Sequence, residues 1–197
     1  MAHVPPLDDE QIADDFILER FAHYRDTRGF VPNSIRTMAR RPGIAKAFME
    51  LNQQVLYEGT VPSGLKMLVS LASSMAAGCR YCESHMTNLA ARFDAPPEKI
   101  AALWEFESSD LFSDAERAAL ALAIKAGTTP NLADETDFAA LREHFDEGQI
   151  VEIVASIALF GYLNRWNDTM ATTLEELPAE VAERIIGEHG WERGKHA

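Results

Sequence analysis

Two cysteines and a histidine lie close together in the segment Cys79-Arg80-Tyr81-Cys82-Glu83-Ser84-His85, and the chain has no other cysteine. On a helix, residues three apart share a face with Cβ atoms about 5–6 Å apart, so Cys79 and Cys82 can form a disulfide after slight adjustment. His85 follows Cys82 by three residues, where an imidazole can exchange the proton that a thiol must lose to become a nucleophile. The motif therefore predicts a redox centre with a nucleophilic thiol, a resolving thiol and a proton relay.

Two simpler interpretations of the motif stay open. Buried cysteines often serve as small hydrophobic residues without reactivity. A tetrahedral zinc site needs four ligands, and Cys79, Cys82 and His85 supply only three, so no metal is predicted. His85 alone would be an ordinary histidine, and its interest comes from its neighbours.

Composition excludes several classes of function. The 197 residues carry a net charge of −13, which argues against binding to nucleic acids or to anionic membranes. No apolar run approaches the roughly 20 residues that cross a membrane, and the first residues lack the pattern of a signal peptide. We therefore predict a cytoplasmic protein, and in a reducing compartment a Cys-x-x-Cys pair is more often catalytic or metal-binding than structural.

The elements around the motif are predicted to be helices. Leu65, Leu68 and Ala72 recur at helical spacing before Gly78, which should end that helix. Cys79 then lies near the N-terminus of a new helix, where the helix dipole and free N–H groups favour a thiolate.

Similar patterns along the rest of the chain predict an all-α fold of about seven to nine helices in one domain, residues 1–197. The predicted core spans about residues 30–173, preceded by an N-terminal helix within 1–28 and followed by a C-terminal helix and tail, 174–197. In more detail, the first helix is expected at roughly Asp9–Asp26, and capping boxes are expected to start one helix at Ser113 and another at Asp146. The helix capped by Asp146 is expected to end at Phe160, and the last helix is expected to start at Pro178.

A faint internal repeat relates residues 64–86 to residues 148–170. Each segment has an apolar helix, a small-residue break (Gly78 or Gly161) and a polar cluster. A true repeat would give a pseudo-twofold arrangement in which the second cluster faces the cysteines, so Tyr81, Asn164, Trp166, Asn167 and Asp168 are candidate pocket residues. The alternatives are that two apolar helices look alike by chance and that the cluster is a polar helix end with Trp166 packed in a core or interface.

The residues resemble the alkylhydroperoxidase D/carboxymuconolactone decarboxylase superfamily, in the branch of uncharacterised peroxidase-related proteins. The resemblance covers roughly residues 30–173 and rests on Gly78 to His85, Trp104 to Glu107, Leu111 to Ser113, Glu116 to Leu120, Glu152 to Ala155 and Phe160 to Asp168. It implies an all-α protein, assembled as trimers or hexamers, that reduces a small hydroperoxide with a dithiol. The roles implied by the resemblance are Cys82 as the nucleophile, Cys79 as the resolving thiol and His85 as the proton relay.

Two departures from the family pattern concern the relay. The second cysteine and the histidine are four residues apart in the best-known peroxidases and three apart here. The family's relay glutamate lies twelve residues before the first cysteine, where this chain has Met67. Replacement carboxylates are therefore sought at Glu83 and Glu152, with Glu105 ranked below them.

The predicted reaction needs no bound cofactor beyond a redox-active disulfide. Thiolate attack on the O–O bond gives a sulfenic acid, the second thiol condenses with it, and an external dithiol reduces the disulfide. The resemblance allows a lipoyl-bearing protein as that reductant. Two alternatives stay open: a lyase or isomerase like the decarboxylase arm of the superfamily, and a non-catalytic redox sensor or disulfide-exchange protein.

Overall fold

The computed structural model describes residues 2–197, and within them it contains ten α-helices and no strand. In chain order the helices are α1 (Asp15–Arg28), α2 (Asn33–Met38), α3 (Pro42–Tyr57), α4 (Ser63–Ala77), α5 (Arg80–Arg92), α6 (Pro97–Ala101), α7 (Asp114–Gly127), α8 (Glu135–Arg142), α9 (Glu147–Met170) and α10 (Glu176–Ile186). The all-α prediction is confirmed. The ten helices slightly exceed the predicted number of about seven to nine.

Capping residues set several of these helix starts. The side chains of Ser113 and Asp146 begin α7 and α9 in the two capping boxes expected from the sequence. At the N-terminus the predicted helix Asp9–Asp26 is wrong in its start. A short 3-10 turn covers Asp9–Gln11, and α1 begins only after Asp14, whose side chain accepts a hydrogen bond from the backbone N–H of Ile17 at 3.2 Å.

The predicted end of α9 at Phe160 is also wrong, since this helix continues to Met170. Gly161 remains within the helix on its exposed side. One exposed glycine costs a helix only about 1 kcal/mol relative to alanine, which the packing of the flanking turns offsets. The break expected in the second half of the repeat is therefore absent at Gly161, whereas α4 does end at Gly78 in a left-handed conformation, φ 71°.

Helix α4 lies at the centre of the fold, where it packs against α5, α7 and α9. Every residue from Leu65 to Ser74 is buried, as is every residue from Tyr81 to Ala90 in α5. Helix α10 packs on α5 from the other side, and begins at Glu176 rather than at the predicted Pro178. The cysteine motif therefore lies between the central helices and the C-terminal segment.

None of the helices in residues 2–197 combines the length and apolar character that crossing a membrane requires.

Candidate active site

The cysteine motif occupies the junction between α4 and α5. Gly78 ends α4, the backbone N–H of Cys79 bonds the carbonyl of Ser74 at 3.1 Å, and Cys79 is the N-cap residue of α5. The predicted helix start at Cys79 is confirmed. Both thiols are free and buried, so chemistry here takes place away from bulk water.

The Cys82 thiol is held in a protonated state by its surroundings. Only 2% of the residue is exposed, and burial, the adjacent Cys79 thiol and the charge of Glu83 raise the pKa of Cys82 well above its usual value. The side-chain amide of Asn167 acts in the opposite direction, since it donates to the Cys82 sulfur at 3.4 Å. At Cys82 burial thus outweighs the favourable field of the helix N-terminus, and a thiolate requires a nearby proton acceptor.

A carboxylate from the start of α10 meets the predicted relay histidine. The Nε2 atom of His85 lies 2.7 Å from Oε2 of Glu175, and both side chains are about nine-tenths buried. The other carboxylate oxygen accepts hydrogen bonds from the Tyr81 hydroxyl at 3.0 Å and from the backbone N–H of Asn33. Glu175 is therefore positioned by two helices, α2 and α5, with one oxygen directed at His85.

Tyr81 completes this group by packing on the histidine. Its ring stacks on the His85 ring with centroids 4.4 Å apart, and its hydroxyl accepts a hydrogen bond from the backbone N–H of Ser34 at 3.3 Å. Burial and the charge of Glu175 raise the pKa of Tyr81 well above its usual value, so the hydroxyl remains a donor to Glu175.

The carboxylates predicted as relays lie elsewhere. Glu152 bonds Lys66 Nζ at 2.8 Å and the backbone N–H groups of Thr60 and Val61 at 2.8 and 3.0 Å, and these contacts lower its pKa to about 2. Glu83 pairs with Arg80 at 2.9 Å, although burial raises its pKa.

The sequence interpretation missed Glu175, which lies 90 residues beyond His85. The only local sequence signal for Glu175 was its position just before Pro178, where the last helix was predicted to start.

A small cavity of about 40 Å³ adjoins Cys82. Its polar lining includes Tyr81, His85 and Asn167, and its apolar wall includes Ile35, Phe48, Leu56, Met86, Leu89 and Phe160. Cys79 is not part of the lining. A substrate that enters the cavity therefore meets the Cys82 sulfur first.

Of the five candidate pocket residues, the structure brings Tyr81 and Asn167 to this cavity. Asn164 and Asp168 line a separate polar cleft between the ends of α4 and α7, and Asp168 bonds Lys195 at 2.7 Å. Trp166 stacks against Tyr162 on α9, with ring centroids 6.0 Å apart. Within residues 2–197, no three His, Cys, Asp or Glu side chains are grouped so that they could hold a metal ion.

Comparison with known proteins relates this fold to a family. The family model for the carboxymuconolactone decarboxylase family matches residues 42–125. The solved structure of the debrominase Bmp8 is 36% identical and superposes with a TM-score of 0.85, over 92% of this chain and 97% of that one. A cysteine-to-alanine variant of Bmp8, solved in complex with 2,3,4-tribromopyrrole, superposes with the same TM-score.

Two further relatives carry less specific names. An uncharacterized peroxidase-related protein from Ralstonia eutropha JMP134 with an alkylhydroperoxidase AhpD core is 25% identical, with a TM-score of 0.77 over 89% of this chain and 94% of that one. The uncharacterized protein YnjA of Escherichia coli K12 is 31% identical over 121 residues, which are 61% of this chain. The match spans 64% of the length of YnjA.

The chain belongs to the alkylhydroperoxidase D/carboxymuconolactone decarboxylase superfamily. The family and its neighbours, among them a debrominase, indicate an enzyme.

Proposed function

We propose that this protein is a two-thiol reductase in which Cys82 attacks a small hydroperoxide and Cys79 then forms a disulfide with it. The observation that carries the proposal is the cavity that both Cys82 and His85 line, with the Glu175 carboxylate bonded to the histidine. A nucleophile, a base and a group that orients the base are the parts that nucleophilic catalysis requires.

Proton transfer explains why a buried thiol can react. The Cys82 thiol is protonated at rest because burial raises its pKa. His85 accepts that proton when substrate binds, and the Glu175 carboxylate stabilises the resulting imidazolium at 2.7 Å. The imidazolium then protonates the leaving oxygen. This pair takes the place of the family's histidine and upstream glutamate, whose position Met67 occupies here.

The chemical steps balance with two thiols and one peroxide. Cys82 attacks the O–O bond and becomes a sulfenic acid, while the alkoxide leaves as an alcohol with the proton from His85. The Cys79 thiol attacks the sulfenic sulfur, and water leaves as the disulfide forms. An external dithiol, with a lipoyl-bearing protein as one candidate, restores both thiols by exchange.

Reductive debromination is the second candidate, favoured by the similarity to Bmp8 over 92% of this chain. Replacing a carbon–bromine bond by carbon–hydrogen takes two electrons and one proton and releases bromide. The two thiols supply both electrons and that proton as they form a disulfide, and their second proton is released. The cavity of about 40 Å³ has room for a peroxide group, because one water needs roughly 10–15 Å³. A brominated ring would have to enter together with the carbon–bromine bond that reacts, whereas the substituent of a hydroperoxide can stay outside the cavity, and we therefore place the peroxide first.

The deciding experiment compares both substrates with three proteins. Wild type, Cys82→Ser and Cys79→Ser are assayed for dihydrolipoamide-dependent reduction of cumene hydroperoxide and for bromide release from 2,3,4-tribromopyrrole. We expect peroxide turnover in wild type, none in Cys82→Ser, and a single event per molecule in Cys79→Ser. Bromide release without peroxide turnover would establish the second candidate. Accessible thiols with neither activity would leave a redox sensor, or a lyase, as the function to test.

A further inference from the structure

A second chamber, of about 410 Å³, adjoins the active-site cavity and lies between α1, α3 and α5. Its wall is basic and aromatic, with Arg20, Arg28 and Arg92 around Tyr24, Tyr57 and Phe93. The Arg28 guanidinium lies 4.6 Å from the centre of the Tyr24 ring and 5.6 Å from that of Tyr57, and it donates to the Tyr57 hydroxyl at 2.5 Å. These contacts of Arg28 order the side chains of the chamber. The thiol chemistry described above does not use this chamber.

The charges in the chamber are not balanced by the protein itself. Within residues 2–197, no carboxylate oxygen lies within 4.0 Å of a side-chain nitrogen of Arg20, Arg28 or Arg92. Such a cluster is unusual in a chain of net charge −13. The Nε atom of Arg20 is buried without a hydrogen-bond partner in the protein, whereas Arg92 donates to the backbone carbonyls of Thr27 and Arg28 at the end of α1.

The two cavities share part of their walls. Arg28 and Leu89 line both of them. Along α5, Cys82, His85, Leu89 and Phe93 recur three or four residues apart and so lie on one face of the helix. At 1.5 Å per residue, Leu89 lies about 10 Å from Cys82 along the axis, so a molecule that spans both cavities must be elongated and roughly that long.

We propose that the chamber binds the carboxylate of an aromatic or otherwise apolar substrate whose reactive group lies at the Cys82 sulfur. The inference deepens the proposed function and rests on it for the identity of the reaction. The arginines supply charge-assisted hydrogen bonds to the carboxylate, and Tyr24, Tyr57 and Phe93 pack against the apolar body. The preferred substrates are thus hydroperoxides that carry a carboxylate.

Binding of unreactive analogues tests the chamber without any turnover. We would measure the affinity of 4-isopropylbenzoate and of the neutral 4-isopropylbenzamide by titration calorimetry. In wild type the benzoate should bind ~10-fold more tightly, the size of effect expected from a hydrogen bond to a charged group. Arg28→Gln and Arg20→Gln should each remove most of this preference, and Arg28→Lys should retain part of it.

The matched control is Arg25→Gln, which makes the same charge change on α1. Arg25 lies outside the chamber, pairs with Asp9 and has a side chain that is 43% exposed, so the preference should remain. Equal affinity of wild type for the two analogues, or absence of binding by either, would overturn the inference. A preference for benzoate that survives in both glutamine variants would overturn it as well.

A kinetic comparison separates this inference from the proposed function. With the 4-carboxy derivative of cumene hydroperoxide and its methyl ester, wild type should show a ~10-fold lower KM for the carboxylate, and Arg28→Gln should lose this difference. Benzoate binding without peroxide turnover would contradict the proposed reaction alone. Turnover of both peroxides with equal KM would contradict the carboxylate site alone.

Discussion

At the scale of single residues, the main result is the group formed by His85, Glu175 and Tyr81. A buried thiol whose pKa is raised is inert unless a base takes its proton. Only Glu175 pairs with the relay histidine in the described part of the chain, and Tyr81 and the Asn33 backbone fix its orientation. We therefore assign the reactivity of Cys82 to this carboxylate, which acts through His85.

Replacing Glu175 by glutamine should slow the reaction of Cys82 with cumene hydroperoxide by roughly 100-fold, the lower range for loss of acid–base assistance. The measurement is the single-turnover rate of disulfide formation as a function of pH. The control is Glu176→Gln, since Glu176 is the next residue along, is exposed and pairs with Arg193. If the loss of folded protein in Glu175→Gln, measured by thermal unfolding, accounts for the whole fall in rate, then Glu175 has only a structural role.

At the scale of elements, the loop between α3 and α4 is tied to α9 by one carboxylate. Glu152 accepts hydrogen bonds from Thr60, Val61 and the fully buried Lys66. Gly59 gives the loop its tight shape, because its φ is 94° and a Cβ at this position would collide with the Glu152 carboxylate. Glu152 thus fixes α3, α4 and α9 relative to one another, which is a structural role.

Glu152→Gln should lower the free energy of unfolding at pH 7 by roughly 1–3 kcal/mol, because it removes the charged partner of a buried donor. The pKa of Glu152 is lowered from 4.5 to about 2, so its contribution is fully present above pH 4.5 and is lost as the pH falls towards 2. Urea unfolding at pH 7 and at pH 2.5 measures this.

The difference between wild type and Glu152→Gln should therefore shrink at the lower pH. Glu147→Gln, at an exposed position on the same helix, should change the stability little at either pH. A constant difference across the pH range would contradict this account, as would a loss of thiol reactivity without a loss of stability.

At the scale of the whole molecule, the sequence predicted what depends on neighbours within a few residues. The all-α class, the capped starts of α7 and α9, and Cys79 at a helix start all follow from local spacing. Glu175 could not be found in this way, because only the packing of α10 on α5 brings it to His85. A helix break was wrongly predicted at Gly161. The helix continues through this exposed glycine because the turns on either side of it are held by tertiary packing, which local sequence does not reveal.

The homo-oligomer implied by the family resemblance stays a prediction. Helix α9 exposes Val151, Val154 and Tyr162, which are 67%, 39% and 43% accessible in one chain. We expect sedimentation equilibrium to give a trimer or hexamer and Val154→Glu to weaken it, because a charge on an apolar contact face must be desolvated. A monomer at all concentrations in wild type would contradict the prediction.

The position of Glu175 also has a consequence for how the protein is made. The ribosome completes the cysteine motif 90 residues before it adds this carboxylate, an interval of roughly 5–20 seconds at ordinary rates of synthesis. During that time His85 has no carboxylate partner, so a nascent or incompletely translated chain lacks the complete proton relay. The assisted reaction of Cys82 with peroxide then begins only when the last helix docks, which makes that reaction a direct report on completion of the fold.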